Sequence, residues 1–154
     1  MEKINHHFVF IEAPADIVGP QTMLWGEASW WPQGCQMRFQ KITPGELSIG
    51  TEYEMRIRAP FVAPLSCRVT KLDPAREIER TFLAGMFKGR ENVVIEERYN
   101  GTKVNYTMFY QVQGILNAVL WPIVFHRLHD KNIKNILAAL KKYCEGKAQN
   151  LENQ

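Results

Sequence analysis

The chain has 154 residues, the length of one domain with a single core. Charged residues make up 23% of the chain and hydrophobic residues 45%, a globular composition that argues against disorder away from the ends. The net charge of +3 comes without a cluster of Lys or Arg, so nucleic acid is not a predicted partner. The three cysteines lack C-x-x-C spacing. We therefore expect reduced thiols, no metal site and no cofactor.

The two segments that could target a membrane both argue against insertion. The N-terminus passes from Met1 straight into a strand pattern without the apolar region of a signal peptide. The most apolar run, residues 115–125, is too short to span a bilayer and contains Pro122. We therefore expect no stable membrane insertion and a cytoplasmic location.

The first elements in chain order are a strand and a helical region. Residues 6–12 carry apolar side chains on both faces, which predicts a strand inside a sheet. Pro14 and Asp16 are typical of a first helical turn. Because Gly19 and Pro20 interrupt this helix, we predict two short helices. The following loop, 25–32, is aromatic, and its tryptophans either close the mouth of a cavity or anchor the helices to the sheet.

Alternating apolar and polar residues then predict about six strands. The patterns lie near 35–42, 51–58, 65–72, 78–82, 91–99 and 102–112. Asn100-Gly101 is typical of a two-residue hairpin turn. That turn would place Ile95 opposite Tyr106 and Glu91 opposite Tyr110, with Glu91 and Tyr110 on the same face.

The last element predicted is a long helix. Apolar residues from Leu116 to Cys144 follow helical spacing, so the helix should run from about Leu116 to Glu145 and bend near Pro122. We assign residues 1–146 to one domain and residues 147–154 to a polar C-terminal tail.

Several local sequence features, together with this order of elements, point to a known fold. They are residues 13–16 after the first strand, Trp30-Trp31-Pro32, Gly45 with Gly50, the stretch 83–102, Gly114-Ile115-Leu116, and residues 140–145. The chain resembles the Bet v 1/START-like (SRPBCC) superfamily over nearly its whole length, and within it the polyketide cyclase/dehydrase-like group. The resemblance implies the α+β helix-grip fold, in which a curved antiparallel sheet of about seven strands wraps a C-terminal helix.

The resemblance implies that a small hydrophobic or aromatic molecule, lipid-like or polyketide-like, binds between the sheet and the terminal helix. Members of the superfamily include lipid carriers, hormone receptors, aromatases and chaperone activators, so the fold does not decide the activity. The predicted ligand-binding residues are Tyr53, Met55, Ile57, Phe82, Tyr106, Met108, Ile123, Arg127 and Trp31.

An alternative function is a cyclase or dehydratase, a lyase-like enzyme without metal. Its candidate catalytic residues are Glu91, Tyr110 and Arg80, with Glu91 as general base and Tyr110 as hydrogen-bond donor. Arg80 and Glu91 could instead simply pair with each other, as buried charges normally do. A further alternative is a protein-interaction or chaperone-accessory module. Polar groups converging at the base of a cavity would favour chemistry, an apolar floor would favour carriage, and a filled core would favour the interaction module.

Three polar residues of the terminal helix, His126, His129 and Asp130, fall on one side of it. A metal site would need another ligand at a suitable distance. We interpret these residues as lining one end of the cavity or lying at the helix edge.

Overall fold

The computed structural model describes residues 1–58 and 62–153, so Gln154 of the predicted tail lies outside the described residues. Its strands are β1 (Lys3–Ile11), β2 (Met37–Lys41), β3 (Glu52–Ile57), β4 (Leu65–Asp73), β5 (Glu77–Ala84), β6 (Phe87–Arg98) and β7 (Gly101–Val112). Its helices are α1 (Ala15–Met23), α2 (Ile115–Leu120) and α3 (His126–Glu152), and a π-helical turn, Trp121–Phe125, joins α2 to α3.

The seven strands form one antiparallel sheet in the order β1-β7-β6-β5-β4-β3-β2. The sheet curls around the terminal helix, which confirms the predicted helix-grip fold. On its inner side α3 buries an apolar stripe at helical spacing, made of Ile133, Ile136, Leu137, Leu140 and Cys144. The core therefore lies between the concave face of the sheet and α3.

The region after β1 differs from the predicted pair of short helices. One helix, α1, passes through Gly19 and Pro20 and is followed by turns. Pro20 removes one internal hydrogen bond, but the buried side chains of Val18 and Thr22 hold the helix against the core. Gly19 is required by packing, because a Cβ there would lie 2.3 Å from the carbonyl oxygen of Ala75.

The β6–β7 hairpin differs from the predicted register. The turn consists of Tyr99 and Asn100, while Gly101 already pairs with Arg98 as the first residue of β7. Gly101 is needed because the backbones of β7 and β1 come close together there, not because the turn requires a glycine. A Cβ at this position would lie 2.2 Å from the carbonyl oxygen of Ile11. Each strand residue therefore pairs two positions away from the predicted partner.

This shift gives each residue of the hairpin a different cross-strand neighbour but leaves its side chain on the predicted face of the sheet. Tyr106 lies opposite Val93, not Ile95, and Glu91 lies opposite Met108, not Tyr110. Because side chains alternate between faces with a period of two, Glu91 still points to the concave side.

The terminal helix begins at Ile115 and ends at Glu152, beyond the predicted end at Glu145. The irregularity expected at Pro122 takes the form of the π-helical turn. No helix in the described part of the chain combines the length and apolar character needed to cross a membrane.

Candidate functional site

A buried ion pair lies on the concave face of the sheet. Arg80 on β5 pairs in register with Glu91 on β6, and its Nη1 donates a hydrogen bond of 2.8 Å to Oε1 of Glu91. The two side chains are 0% and 1% exposed. Removing two charges from water costs several kcal/mol per ion, so a buried pair of this kind adds little net stability.

Tyr106 and His129 extend this pair toward α3. The hydroxyl of Tyr106 donates to Oε2 of Glu91 at 2.9 Å, and its oxygen lies 3.4 Å from Nε2 of His129. Burial, reinforced by the charge of Glu91, raises the pKa of Tyr106 well above its usual value. Burial lowers the pKa of His129 to about 4. At neutral pH the cluster therefore contains a phenol and an uncharged imidazole.

Arg80, Glu91, Tyr106 and His129, which we call the polar cluster, leave several hydrogen-bonding atoms unused. Nε and Nη2 of Arg80 and Nδ1 of His129 are buried and have no partner among the described residues. Nε and Nη2 form one edge of the guanidinium, the edge that can donate two parallel hydrogen bonds. Because Tyr106 donates its proton to Glu91, the contact with His129 requires a proton on Nε2, which leaves Nδ1 as a free acceptor.

Aromatic rings enclose the polar cluster. The guanidinium of Arg80 lies over the rings of Tyr53 and Phe39, at 5.2 and 5.6 Å from their centroids. The indole of Trp25 stacks on Tyr106 with a centroid distance of 6.0 Å and an interplanar angle of 7°. Trp25 in turn contacts Trp31, with ring centroids 5.5 Å apart. The loop after α1 thus covers the polar cluster with flat side chains.

A cavity of about 540 Å³ lies beside this aromatic cover. Its walls include Trp31, Cys35 and Phe39, together with the polar residues of β2 and β3 that alternate with the buried ones, Arg38, Gln40, Glu54 and Arg56. Phe39 thus contributes to the wall of this cavity and also lies beneath the guanidinium of Arg80. The buried residues Tyr53, Met55, Phe82, Tyr106 and Met108 are not among the residues that line this cavity.

The predicted ligand-binding residues fall into three groups. The concave face buries five of them, Tyr53, Met55, Phe82, Tyr106 and Met108. Trp31 and Ile57 are half-buried, and Trp31 lines the cavity. Ile123 and Arg127 are exposed on the outer side of the terminal helix and do not meet the other residues.

The three predicted catalytic residues are only partly brought together. Arg80 and Glu91 pair with each other, whereas Tyr110 accepts a hydrogen bond of 2.9 Å from Nε1 of Trp121. Tyr106 takes the place beside Glu91 because of the shifted register. The face alternation of β7 shows that both tyrosines point inward, but sequence alone does not show which one meets the carboxylate.

The other polar residues of the terminal helix tie it to β1. Oδ1 of Asp130 accepts hydrogen bonds from Asn5 (2.8 Å) and His7 (3.0 Å), and Oδ2 lies 3.3 Å from Nδ1 of His126. Burial acts to raise the pKa of Asp130, but these hydrogen bonds and nearby histidines outweigh it and lower the pKa. The described residues contain no group of three or more His, Cys, Asp or Glu arranged to hold a metal ion.

Comparison with known proteins identifies the fold. No protein-family model and no curated protein matches the sequence. Among solved structures, the Zhui aromatase/cyclase from Streptomyces sp. R1128 has a TM-score of 0.75 at 17% identity, with 94% of each chain covered. The chain has the helix-grip fold.

Two other helix-grip structures show how widely the fold is shared. A point mutant of norcoclaurine synthase from Thalictrum flavum, in complex with a transition state analogue, has a TM-score of 0.70 at 13% identity, with 94% of each chain covered. The Aha1 dimer from Colwellia psychrerythraea has a TM-score of 0.65 at 16% identity, with 93% of this chain and 96% of that chain covered. At these identities the similarity establishes the fold, so function has to be argued from this chain's own side chains.

Proposed function

We propose that this protein binds a small aromatic molecule that carries a hydrogen-bond acceptor, at a site between the sheet and α3 that forms when the aromatic side chains packed over Arg80 move. The observation that carries the proposal is the Nε–Nη2 edge of Arg80, which is completely buried and has no partner among residues 1–58 and 62–153. Buried donors without partners cost about 1–3 kcal/mol each. A buried charge with unused donors therefore destabilises the free protein, and such arrangements are concentrated at functional sites.

The surroundings of Arg80 favour a flat ligand. A carboxylate, sulfonate or carbonyl group could accept hydrogen bonds from Nε and Nη2 while the guanidinium stays over Tyr53 and Phe39. The aromatic body would take the place of Trp25 against the ring of Tyr106. The cavity beside Trp31 provides the route, which opens when Phe39 and the tryptophan loop move aside.

A second candidate function is cyclase or dehydratase chemistry, favoured by the free Nδ1 of His129. An uncharged imidazole can remove a proton from carbon next to a carbonyl. The electron pair then moves onto the carbonyl oxygen, where Arg80 would stabilise the enolate. Tyr106 and Glu91 would hold the imidazole in the required tautomer. This reaction needs no metal.

A pair of matched probes tests ligand binding. 1-Anilinonaphthalene-8-sulfonate carries an anionic acceptor, whereas N-phenyl-1-naphthylamine is the same aromatic body without it. We expect the protein to prefer the sulfonate. Hydrogen bonds to charged groups contribute about 1.5–3 kcal/mol, so the double variant Arg80→Met/Glu91→Leu should weaken sulfonate binding roughly tenfold or more.

The control for this experiment is the exposed ion pair between Arg68 and Glu52. The variant Arg68→Met/Glu52→Leu removes the same charges from the convex surface and should leave both probes unaffected. Equal affinity of the wild-type protein for the two probes, or an unchanged preference in the Arg80→Met/Glu91→Leu variant, would contradict the proposal. Circular dichroism shows whether each variant is folded.

The second candidate has a separate test. 1-Phenyl-1,3-butanedione in deuterated buffer reports proton removal as deuterium exchange at the carbon between its carbonyls. Catalysed exchange that is lost in His129→Gln and retained in the exposed-site control His6→Gln would support proton abstraction. Exchange at the rate of buffer alone would leave the protein as a binder without this chemistry.

A further inference from the structure

The outer side of the terminal helix carries a cluster of exposed aliphatic side chains. They lie in the segment 113–125, which contains no charged residue. Their exposed fractions range from 49% to 89%, and the cluster, which we call the apolar face, consists of Ile115, Leu116, Val119, Ile123 and Val124. Single exposed aliphatic residues are common, but contiguous clusters mark interaction sites.

Packing against the core does not explain why this segment is apolar. Helix α2 buries none of its residues. In the π-helical turn, Trp121 and Phe125 point into the core, while Ile123 and Val124 point outward. The sequence could therefore hold the same fold with polar residues at the exposed positions. An aliphatic face without a role in the core is a candidate docking surface.

The charges around the apolar face are mainly basic. Arg127, Lys131 and Lys134 continue along the helix at steps of four and three residues, and all three are exposed. The carboxylate of Asp130, which lies among them, is turned toward Asn5 and the histidines. At the neighbouring end of the sheet, Lys88 is exposed opposite Gln111.

The other charges near this end of the sheet do not reverse its sign. Lys3 pairs with Tyr110 at the start of β1 and is exposed. The carboxylate of Glu2 lies 3.8 Å from the guanidinium of Arg90, which partly neutralises it. The apolar face is therefore bordered by basic groups.

We infer that the apolar face docks on the surface of an anionic lipid bilayer. Helices with an aliphatic side and basic neighbours lie in the plane of the membrane interface, with the aliphatic groups among the acyl chains. Each basic residue near the surface then adds attraction to anionic headgroups. A second copy of this chain fits less well, because it would bring two basic borders together. The inference is independent of the proposed function.

Vesicle co-sedimentation tests this inference. We expect the protein to bind vesicles of equimolar phosphatidylcholine and phosphatidylglycerol at least tenfold more tightly than vesicles of phosphatidylcholine alone, and to release them as salt is raised. The variant Leu116→Glu/Ile123→Glu should weaken binding to the mixed vesicles at least tenfold. Arg127→Gln/Lys131→Gln should reduce that binding toward the level seen with phosphatidylcholine alone.

The matched control is Ile42→Glu/Ile49→Glu, which makes the same chemical change at two exposed isoleucines of the β2–β3 connection. It should bind mixed vesicles as the wild-type protein does. The inference is overturned if the wild-type protein binds neither vesicle type or binds both equally. It is equally overturned if Ile42→Glu/Ile49→Glu weakens binding as much as Leu116→Glu/Ile123→Glu does. It is also overturned if sedimentation velocity shows a dimer that Leu116→Glu/Ile123→Glu dissociates, because a second copy would then cover the face.

Discussion

Protonation of His129 should destabilise the folded protein as the pH falls. Burial lowers the pKa of His129 to about 4, against 6.5 in the unfolded chain. Between these two values the unfolded state binds more protons, so the free energy of unfolding rises with pH. The stabilisation is complete above pH 6.5 and is lost as the pH falls toward 4. The full shift of about 2.5 pH units corresponds to about 3 kcal/mol.

The measurable part of this effect lies in mildly acidic solution. From the same two pKa values, about 2 kcal/mol should be lost between pH 7 and pH 5. Urea unfolding of the wild-type protein and His129→Gln at these two pH values gives the difference directly. Glutamine keeps a polar group near the hydroxyl of Tyr106 but does not titrate. The lowered pKa values of Glu77, Asp130 and Glu145 affect both proteins equally and cancel.

His6→Gln, on the exposed side of β1, is the control and should keep the wild-type pH dependence. If His129→Gln loses as much stability between pH 7 and pH 5 as the wild-type protein, His129 is not the buried neutral group described here.

Three further stability predictions concern the same interior and can be measured by urea unfolding. Glu91→Leu should cost about 3–5 kcal/mol because it leaves the buried charge of Arg80 unpaired, whereas Arg80→Met/Glu91→Leu should cost only about 1–2 kcal/mol, because the Tyr106 hydroxyl alone loses its acceptor. Similar losses in the two variants would contradict a buried charge pair. Trp121→Phe should cost about 1–2 kcal/mol because it removes the hydrogen bond to the Tyr110 hydroxyl, and an unchanged stability would show that this bond is not formed. Met108→Trp should cost about 1–3 kcal/mol by overpacking, since Met108 is fully buried; a stable variant would reveal space beside it.

The fold could be predicted from the sequence because its strands and terminal helix have clear periods. Tyr53, Met55 and Ile57 alternate with charged residues on β3, and Ile133 to Cys144 follow helical spacing. The continuity of α1 could not be predicted, because the contact between Gly19 and Ala75 that requires a glycine forms only in the folded chain.

The candidate site could be predicted only in part. The alternation of side chains along β5 and β6 predicts that Arg80 and Glu91 lie on the concave face. Each of these predictions needs only the sequence of its own strand. The hydrogen-bond partner of Glu91 depends on the register of the β6–β7 hairpin. The sequence predicts that register wrongly, because Gly101 is needed for close contact with the backbone of Ile11 and not for the turn. The stacking of Trp25 on Tyr106 joins residues far apart in the sequence, and no local pattern reports such a contact.

Histidine side-chain NMR tests the central claim, that a small aromatic acceptor binds at the polar cluster, most directly. In protein with labelled imidazoles, titration with 1-anilinonaphthalene-8-sulfonate should shift the ring resonances of His129, whose buried Nδ1 has no partner in the part of the chain that the structure describes. The resonances of the exposed His6 should not move. Shifts confined to His126, next to the apolar face, or no shift at any histidine while the probe binds, would contradict a binding site at the polar cluster.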